Sequence, residues 1–441
     1  MSLLGAMNTA ISGLTAQSSA FGNIADNVAN SQTVGYKQVE TNFVDYLTTS
    51  TAAINDPGAV VARPGYENNV QGTITQSTDP TALAVAGQGF FAVSQSTGQV
   101  NNVPTFNPQQ FYTRAGDFQL NSSGYLVNSA GEYLNGWSID PATGVVNQNS
   151  LTPIQVTQSV YNPVATSNVT LSANLPASPA TGTGTAASPI SSDIDVYDAL
   201  GTQHVITLNW VQNSAGNWTV SVNSPDDTSG NPAVGSAQVG FGAGSGNAVP
   251  EGTVGQINNV TGSVTSAGYA AGTAATLSFT TNFGSGNQTI NLNLGTYGGT
   301  SGLTQYAGTQ YSLEGLTQNG VPPGSFSGVT TQANGDIVVN YNNGQTRTIA
   351  QVPVITFNDP NALQRQDGQS FTATQGAGTP LAEQASTNGA GNLVTNSVES
   401  SNVQIASEFS TLIVAQQAYS ANAKLVTTAQ QMLQTTVDMK Q

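Results

Sequence analysis

The chain is 441 residues long and has no cysteine, which excludes disulfides, thiolate metal sites and a cysteine nucleophile. It has one histidine, His204, which any Ser-His-Asp triad would have to use, and no G-x-S-x-G elbow surrounds any serine, so His204 reads as a structural residue. Cations are nearly as scarce. Seven Lys and Arg stand against 23 Asp and Glu, a net charge of −16, and none of the seven lies between Arg114 and Arg347. A nucleic-acid or anionic-lipid surface needs such residues to displace counterions, so both classes fall away. None of the three lysines follows a glycine, so there is no P-loop. The acidic run "DIDVYD" (Asp193, Asp195, Asp198) lacks the alternate oxygen ligand and the glycine of a calcium loop. No apolar run approaches the roughly 18 residues that span a bilayer. The first lysine is Lys37, so a basic secretory start is missing and no conventional export signal is expected. These exclusions leave no catalytic, cofactor-binding or metal-binding residues to name, and the chain is expected not to be an enzyme and to need no cofactor.

What the chain has in quantity is neutral polarity. Ser, Thr, Asn and Gln make up 177 residues, so its surface is built from amides and hydroxyls. All 19 prolines lie between Pro57 and Pro380, and no glycine follows Gly391, so both ends escape the strongest helix breaker. At the C-terminus, Ile405, Phe409, Leu412, Gln416, Tyr419, Ala423, Val426, Gln430, Leu433 and Val437 alternate by four and three residues. That is a heptad seam on a predicted helix of about 60 Å, with Ser400, Ser401 and Asn402 as N-cap candidates. The N-terminus repeats the spacing at Leu4, Met7, Ile11, Leu14, Ser18, Phe21, Ala25 and Val28. Gly5, Gly13 and Gly22 weaken that helix by about 1 kcal/mol each, so it is expected to depend on a partner. The remaining helix faces carry Thr, Ser, Gln and Ala rather than Glu/Lys pairs, which suits packing against further protein. Two readings follow: an amphipathic helix packed on its own domain, or two ends that pair as a coiled coil or with neighbouring copies.

Between the ends the pattern is β. Runs such as "GFFAVSQ", "HVITLNWV", "NWTVSV", "DIVVNY" and "VPVITFN" are separated by Asn-Gly turns. Residues 176–191 and 226–255 are rich in Gly, Pro, Ala, Thr and Ser and are predicted to be surface loops. The glycines at 240, 242, 244 and 246 imitate a dinucleotide fingerprint without its flanking strand and helix. The fold class is therefore α+β and multidomain, and the absence of a site favours a subunit that assembles.

Three blocks carry a resemblance. "NIADNVANSQTVGYKQVETNF" holds the core Asn27, Ala29, Asn30, Thr33, Gly35, Tyr36 and Lys37. "AVAGQGFFAV" with residues 111–137, and the last block from Glu399 onward, follow in order. Together they resemble the bacterial flagellar rod and hook axial proteins. The central insert, with "VYDALGTQH" and "SANLPA", resembles the hook branch, apart from Ala199 and Pro176. The resemblance implies a nested architecture. A terminal α-helical assembly domain (1–30 with 398–441) pairs as a coiled coil, joined by a linker region (31–75 with 360–397) to an inner β domain (76–150 with 325–359). An outer β domain (151–324) is inserted into the inner one. It also implies a structural subunit of the hook: a flexible helical homopolymer that transmits torque from rod to filament as a universal joint, outside the cell. The implied partners are copies of itself, the distal rod protein, the hook cap, the hook-length control protein, the hook–filament junction protein and the type III export apparatus, with neither nucleic acid nor membrane insertion. A distal rod component, a β-rich surface adhesin and a polysaccharide hydrolase are the competing readings.

Overall fold

The computed structural model describes residues 3–50, 55–101, 103–140, 143–230 and 232–439, without the side chains of Leu3, Leu4, 48–50 and 55–57. The chain is β-rich and nested. It forms two compact units, one from Met1–Gln158, Ser327–Asn340 and Thr346–Gln441, the other from Ser159–Phe326 and Tyr341–Gln345.

In the first unit, helix α1 (Leu3–Ala29) and helix α2 (Ile405–Asp438) pack together. Between them in sequence, β1 (Val39–Ser50) and β2 (Asn55–Tyr66) form an antiparallel ribbon in register from Val39↔Tyr66 to Ser50↔Asn55. A two-stranded ribbon is marginal alone in water. Here it leans on α1, where Asn23 Nδ2 donates to Thr41 Oγ1 (2.8 Å) and Val60 N donates to Ser12 Oγ (3.0 Å). The long sheet of this unit interleaves the two flanks of the insertion. Glu132–Ile139 pairs with Phe91–Val100 on one side and with Thr346–Gln351 on the other. Beyond Phe91–Val100 the sheet runs on through Phe111–Thr113 to Ser370–Thr372. Aromatic residues from both flanks fill the core beneath it, with Phe90 edge-on to Phe357 and Phe371, and Tyr112 edge-on to Phe357.

The second unit is a β-sandwich. Its first sheet is a meander of Ile190–Tyr197, Gln203–Ser214, Asn217–Asn223, Ala233–Phe241 and Val254–Gly262. Its second is built around Asn168–Asn174, Ala274–Asn282 and Asn287–Thr296. Burial alternates along these strands with period two, and the inward side chains of both sheets meet in one core around Trp210, Trp218 and Phe279. Residues 226–255 depart from the loop expectation. Ala233–Phe241 is an internal strand that buries Val234, Ala237, Val239 and Phe241. Its glycines permit close strand approach rather than a flexible tip: a Cβ on Gly235 would lie 2.1 Å from the Thr261 carbonyl oxygen. His204 belongs to this unit, where it stacks on Phe283 (4.0 Å between centroids) and meets Asp226 Oδ2 at 3.0 Å.

Candidate assembly interface

The terminal helices bury a narrow stripe. On α1 it consists of Ala10, Ala16, Ala20, Ile24 and Asn27, and on α2 of Glu408, Ala415 and Ala429. The sequence seam lies beside this stripe. Met7, Leu14, Phe21 and Val28 on α1, and Leu412, Val426 and Leu433 on α2, are half-buried. Ile11, Ile405, Phe409, Tyr419 and Val437 are exposed, and the side chain of Leu4 lies outside the described residues. Four positions on α1 (Ala10, Ala20, Ile24, Asn27) and three on α2 (Glu408, Ala415, Ala429) each precede a seam residue by one. Small side chains let α1 approach both the ribbon and α2. A Cβ on Gly13 would lie 2.9 Å from Asn422 Nδ2, which locates one point of closest approach. The Phe21 and Tyr419 rings meet across the two helices with centroids 6.0 Å apart.

The motif after α1 is a hydrogen-bonded knot. Asn27, 2% exposed, uses its whole amide. Its Nδ2 donates to Val39 O (2.9 Å) and Glu408 Oε1 (3.2 Å), while its Oδ1 accepts from Tyr36 OH (3.1 Å) and Val39 N (3.0 Å). Asn30 closes the helix end by donating to Asp26 O (2.9 Å) and accepting from Thr33 Oγ1 (3.2 Å). Ala29, the last helical residue, is exposed and makes no such bond. Gly35 has a φ of 70°, and a Cβ there would lie 2.3 Å from Ala115 N, so both its conformation and its crowding demand glycine. The Arg365 guanidinium lies 4.2 Å over the Tyr36 ring, and burial pushes the Tyr36 hydroxyl above its ordinary pKa.

Lys37 leads to a buried charge cluster. Its Nζ lies 2.6 Å from Glu399 Oε1, and Arg114 Nη1 lies 3.0 Å from Glu399 Oε2. All three side chains are at most 2% exposed. Lys37 also donates to Val70 O, Gly72 N donates to Glu399 Oε1, and Arg114 reaches Val85 O and Gly87 O. Two cations share one carboxylate. Burial lowers Lys37 to a pKa of about 8, with Glu399 opposing the fall and Arg114 adding to it. Burial lowers Arg114 as well. The cluster ties the end of the N-terminal motif to the loop after Phe111–Thr113 and to the strand Ser397–Glu399 that leads into α2. The strand pairs with Ile74–Gln76.

Sequence reasoning missed Arg114, Glu399 and Glu408. In a chain of 30 charges, each charged residue inside a family block was the available signal. The expected cap on α2 also moved. Asn402 Oδ1 accepts from Gln38 N (2.7 Å), and the N-cap is Gln404 with no side-chain bond.

Residues 7–37 match the family model "Flagella basal body rod protein" and 84–174 the "Flagellar hook protein FlgE/F/G D1 domain". Residues 166–321 match the "Flagellar basal body protein FlaE D2 domain" and 394–439 the "Flagellar basal body rod FlgEFG protein C-terminal". Over 444 residues, all of both chains, this chain is 30% identical to the flagellar hook protein FlgE of Brucella suis. The chain belongs to the flagellar hook protein family. It is 27% identical to the hook protein FlgE of Salmonella typhimurium over 98% of its own length and 99% of that relative. It is also similar in structure to the Helicobacter pylori hook protein FlgE2, with a TM-score of 0.45 and 13% identity over 72% of this chain and 98% of the other. Membership makes this hook-family chain a structural subunit of the flagellar hook, on the extracellular side of the flagellum. The knot and the charge cluster are what its family blocks build.

Proposed function

We propose that copies of this chain polymerise through the terminal helices and the ribbon into an open tube that serves as the joint between rod and filament. The observation that carries this reading is the large apolar surface left on those elements. Ile11 on α1, Phe43 and Leu47 on the ribbon, and Phe409, Ile413, Val414 and Leu425 on α2 are all exposed. Apolar surface in this quantity on two helices and a ribbon is what a subunit interface requires. Neighbouring copies related by a non-closing rotation give a filament rather than a ring. The terminal seam would then be completed between copies, as a coiled coil in the sense the heptad spacing implies. In this reading the first unit divides into the terminal assembly domain, the linker region and the inner β domain, and the second unit is the outer domain. Torque passes along the tightly packed inner helices. The outer units carry no Lys or Arg and meet through uncharged polar contacts, which have no fixed ion pairs to break as the tube bends.

Negative-stain microscopy of Val414→Asp and Leu425→Asp tests the assembly reading. Both positions are exposed, so the folded chain tolerates the change while the interface does not. Tubes of ordinary length from both variants refute it.

A further inference from the structure

A cleft of about 260 Å³ opens between α1, the ribbon and the first turns of α2. Its walls are half apolar, from Ala20, Ile24, Phe43 and Val414, and it holds two carboxylates, Glu40 and Glu408, but no cation. Glu408 is 4% exposed. Its Oε1 accepts from Gln38 Nε2 (2.8 Å) and Asn27 Nδ2 (3.2 Å), and its Oε2 has no partner among the described residues. Burial pushes the Glu408 carboxyl above the usual carboxylate range, with the Asn27 bond opposing. A carboxylate oxygen without a protein partner, in a cleft with room for a side chain and no cation in its walls, is where a positive charge from outside can pair.

Among the described residues, two cations have side chains that make no hydrogen bond or ion pair, Lys424 and Arg347; Arg347 is half-buried, and Lys424 is exposed and free to reach another copy. Arg63 bonds Tyr46 OH, and Lys37, Arg114 and Arg365 belong to the buried cluster and knot. Lys424 cannot serve its own Glu408. It stands 16 residues along α2, about 24 Å away and on nearly the opposite face of the helix.

We propose that the cleft is a socket for Lys424 of a neighbouring copy. The inference rests on the assembly reading and names one of its contacts. The methylenes of the incoming lysine lie against Ala20, Ile24 and Phe43, and its ammonium reaches Glu408 Oε2, as lysine stems cover apolar surface while the head finds a charge. The contact is heterologous: each copy gives Lys424 to one neighbour and receives Lys424 from another. Such a contact propagates along an open polymer when the rotation between copies does not close, as the assembly reading has it.

The test is a double-mutant cycle on the full chain, reading the critical concentration for polymerisation by sedimentation. The variants are Glu408→Gln, Lys424→Gln and the double. Removing one partner of a desolvated charge pair should raise the critical concentration by about thirtyfold in each single variant. The double should rise by no more than either single. Lys424→Arg, which keeps the charge, should restore most of the loss. Lys424 is exposed, so its variants report on the contact and not on folding. A double variant whose loss is the product of the two singles, or a Lys424→Gln chain that polymerises like the parent, overturns the socket. Failure of the parent chain itself to form tubes would instead overturn the assembly reading, and this contact with it.

Discussion

Replacing Glu399 should damage the first unit far more than replacing Lys37, although the two side chains share one ion pair. The cluster holds two cations and one anion, a net charge of +1 at full ionisation, with every member at most 2% exposed. Glu399→Gln leaves two cations buried together, a net of +2. It also turns half of the acceptor into a donor, so that whichever way the amide is placed, an N–H₂ group faces either Lys37 Nζ or Arg114 Nη1. Leaving buried charge uncompensated costs about 3–5 kcal/mol. Lys37→Met is different in kind. Glu399 keeps its 3.0 Å contact with Arg114, so the pair that remains is neutral, and Val70 O keeps the Asn402 Nδ2 donor at 3.4 Å. Its cost is about 1–2 kcal/mol, because the roughly 1.5–3 kcal/mol of a hydrogen bond to a charged group is partly offset by removing a buried cation whose charged form burial already disfavours. Differential scanning calorimetry of the full chain resolves this. At 2–4 °C per kcal/mol, Glu399→Gln should lower the first unit's transition by roughly 10 °C, and Lys37→Met by about a third of that. The transition of the Ser159–Phe326 unit, which contains none of these residues, is the internal reference and should not move. Equal losses for the two variants would refute the claim that an excess of cations around one carboxylate governs this junction.

The same cluster gives stability a pH dependence of known sign. Lys37 is lowered in the folded chain to about 8 from an ordinary 10.5, so between these values the unfolded chain binds more protons and stability rises with pH. The parent should gain on Lys37→Met as pH goes from 8 to 10 in urea titrations, and a constant difference would count against it. Gly35→Ala should lose roughly 1–3 kcal/mol from the left-handed conformation alone, and more from the contact with Ala115, as read by chemical denaturation. Gly22→Ala should gain up to about 1 kcal/mol in the same assay, because nothing lies within 4 Å of the added methyl and the residue is inside α1.

The two helices were legible because proline and glycine stop short of the C-terminal one and because an apolar residue recurs every three or four positions in both. Which side of each helix the chain buries against itself was not. Heptad reading weighs size, so it selected Leu14, Phe21 and Leu412, whereas the intramolecular contacts use Ala16, Ala20 and Ala415 beside them. An alanine stripe is invisible to a search for large apolar residues, and it is favoured where a ribbon and a second helix both press on α1. The strands with period-two burial, "NWTVSV" among them, were legible for the opposite reason, since alternation is a property of the strand itself. The strand Ala233–Phe241 was hidden by its glycines, which composition reads as flexibility. The charge cluster lay beyond sequence reasoning altogether: Arg114 and Glu399 are 285 positions apart, and nothing local to either says that they meet.

Charge scarcity leads to one further expectation for the assembled state. The second unit has no Lys or Arg and seven acidic residues, Asp193, Asp195, Asp198, Asp226, Asp227, Glu251 and Glu314, a net of 0 − 7 = −7. With a net of −16 on the whole chain, copies brought side by side repel at long range, and the second unit has no Lys or Arg to offset this. Salt screens exposed charges within about 10 Å at 0.1 M but reaches a buried pair much less. Raising ionic strength should therefore lower the critical concentration for polymerisation, because it screens repulsion between the acidic second units of neighbouring copies and leaves apolar contacts and any desolvated Lys424–Glu408 pair largely intact. Sedimentation at about 20 mM and 200 mM salt measures the sign directly. A critical concentration that rises with salt would mean that exposed ion pairs hold the copies together, and that the uncharged amide and hydroxyl groups of the second unit are not what its neighbours touch.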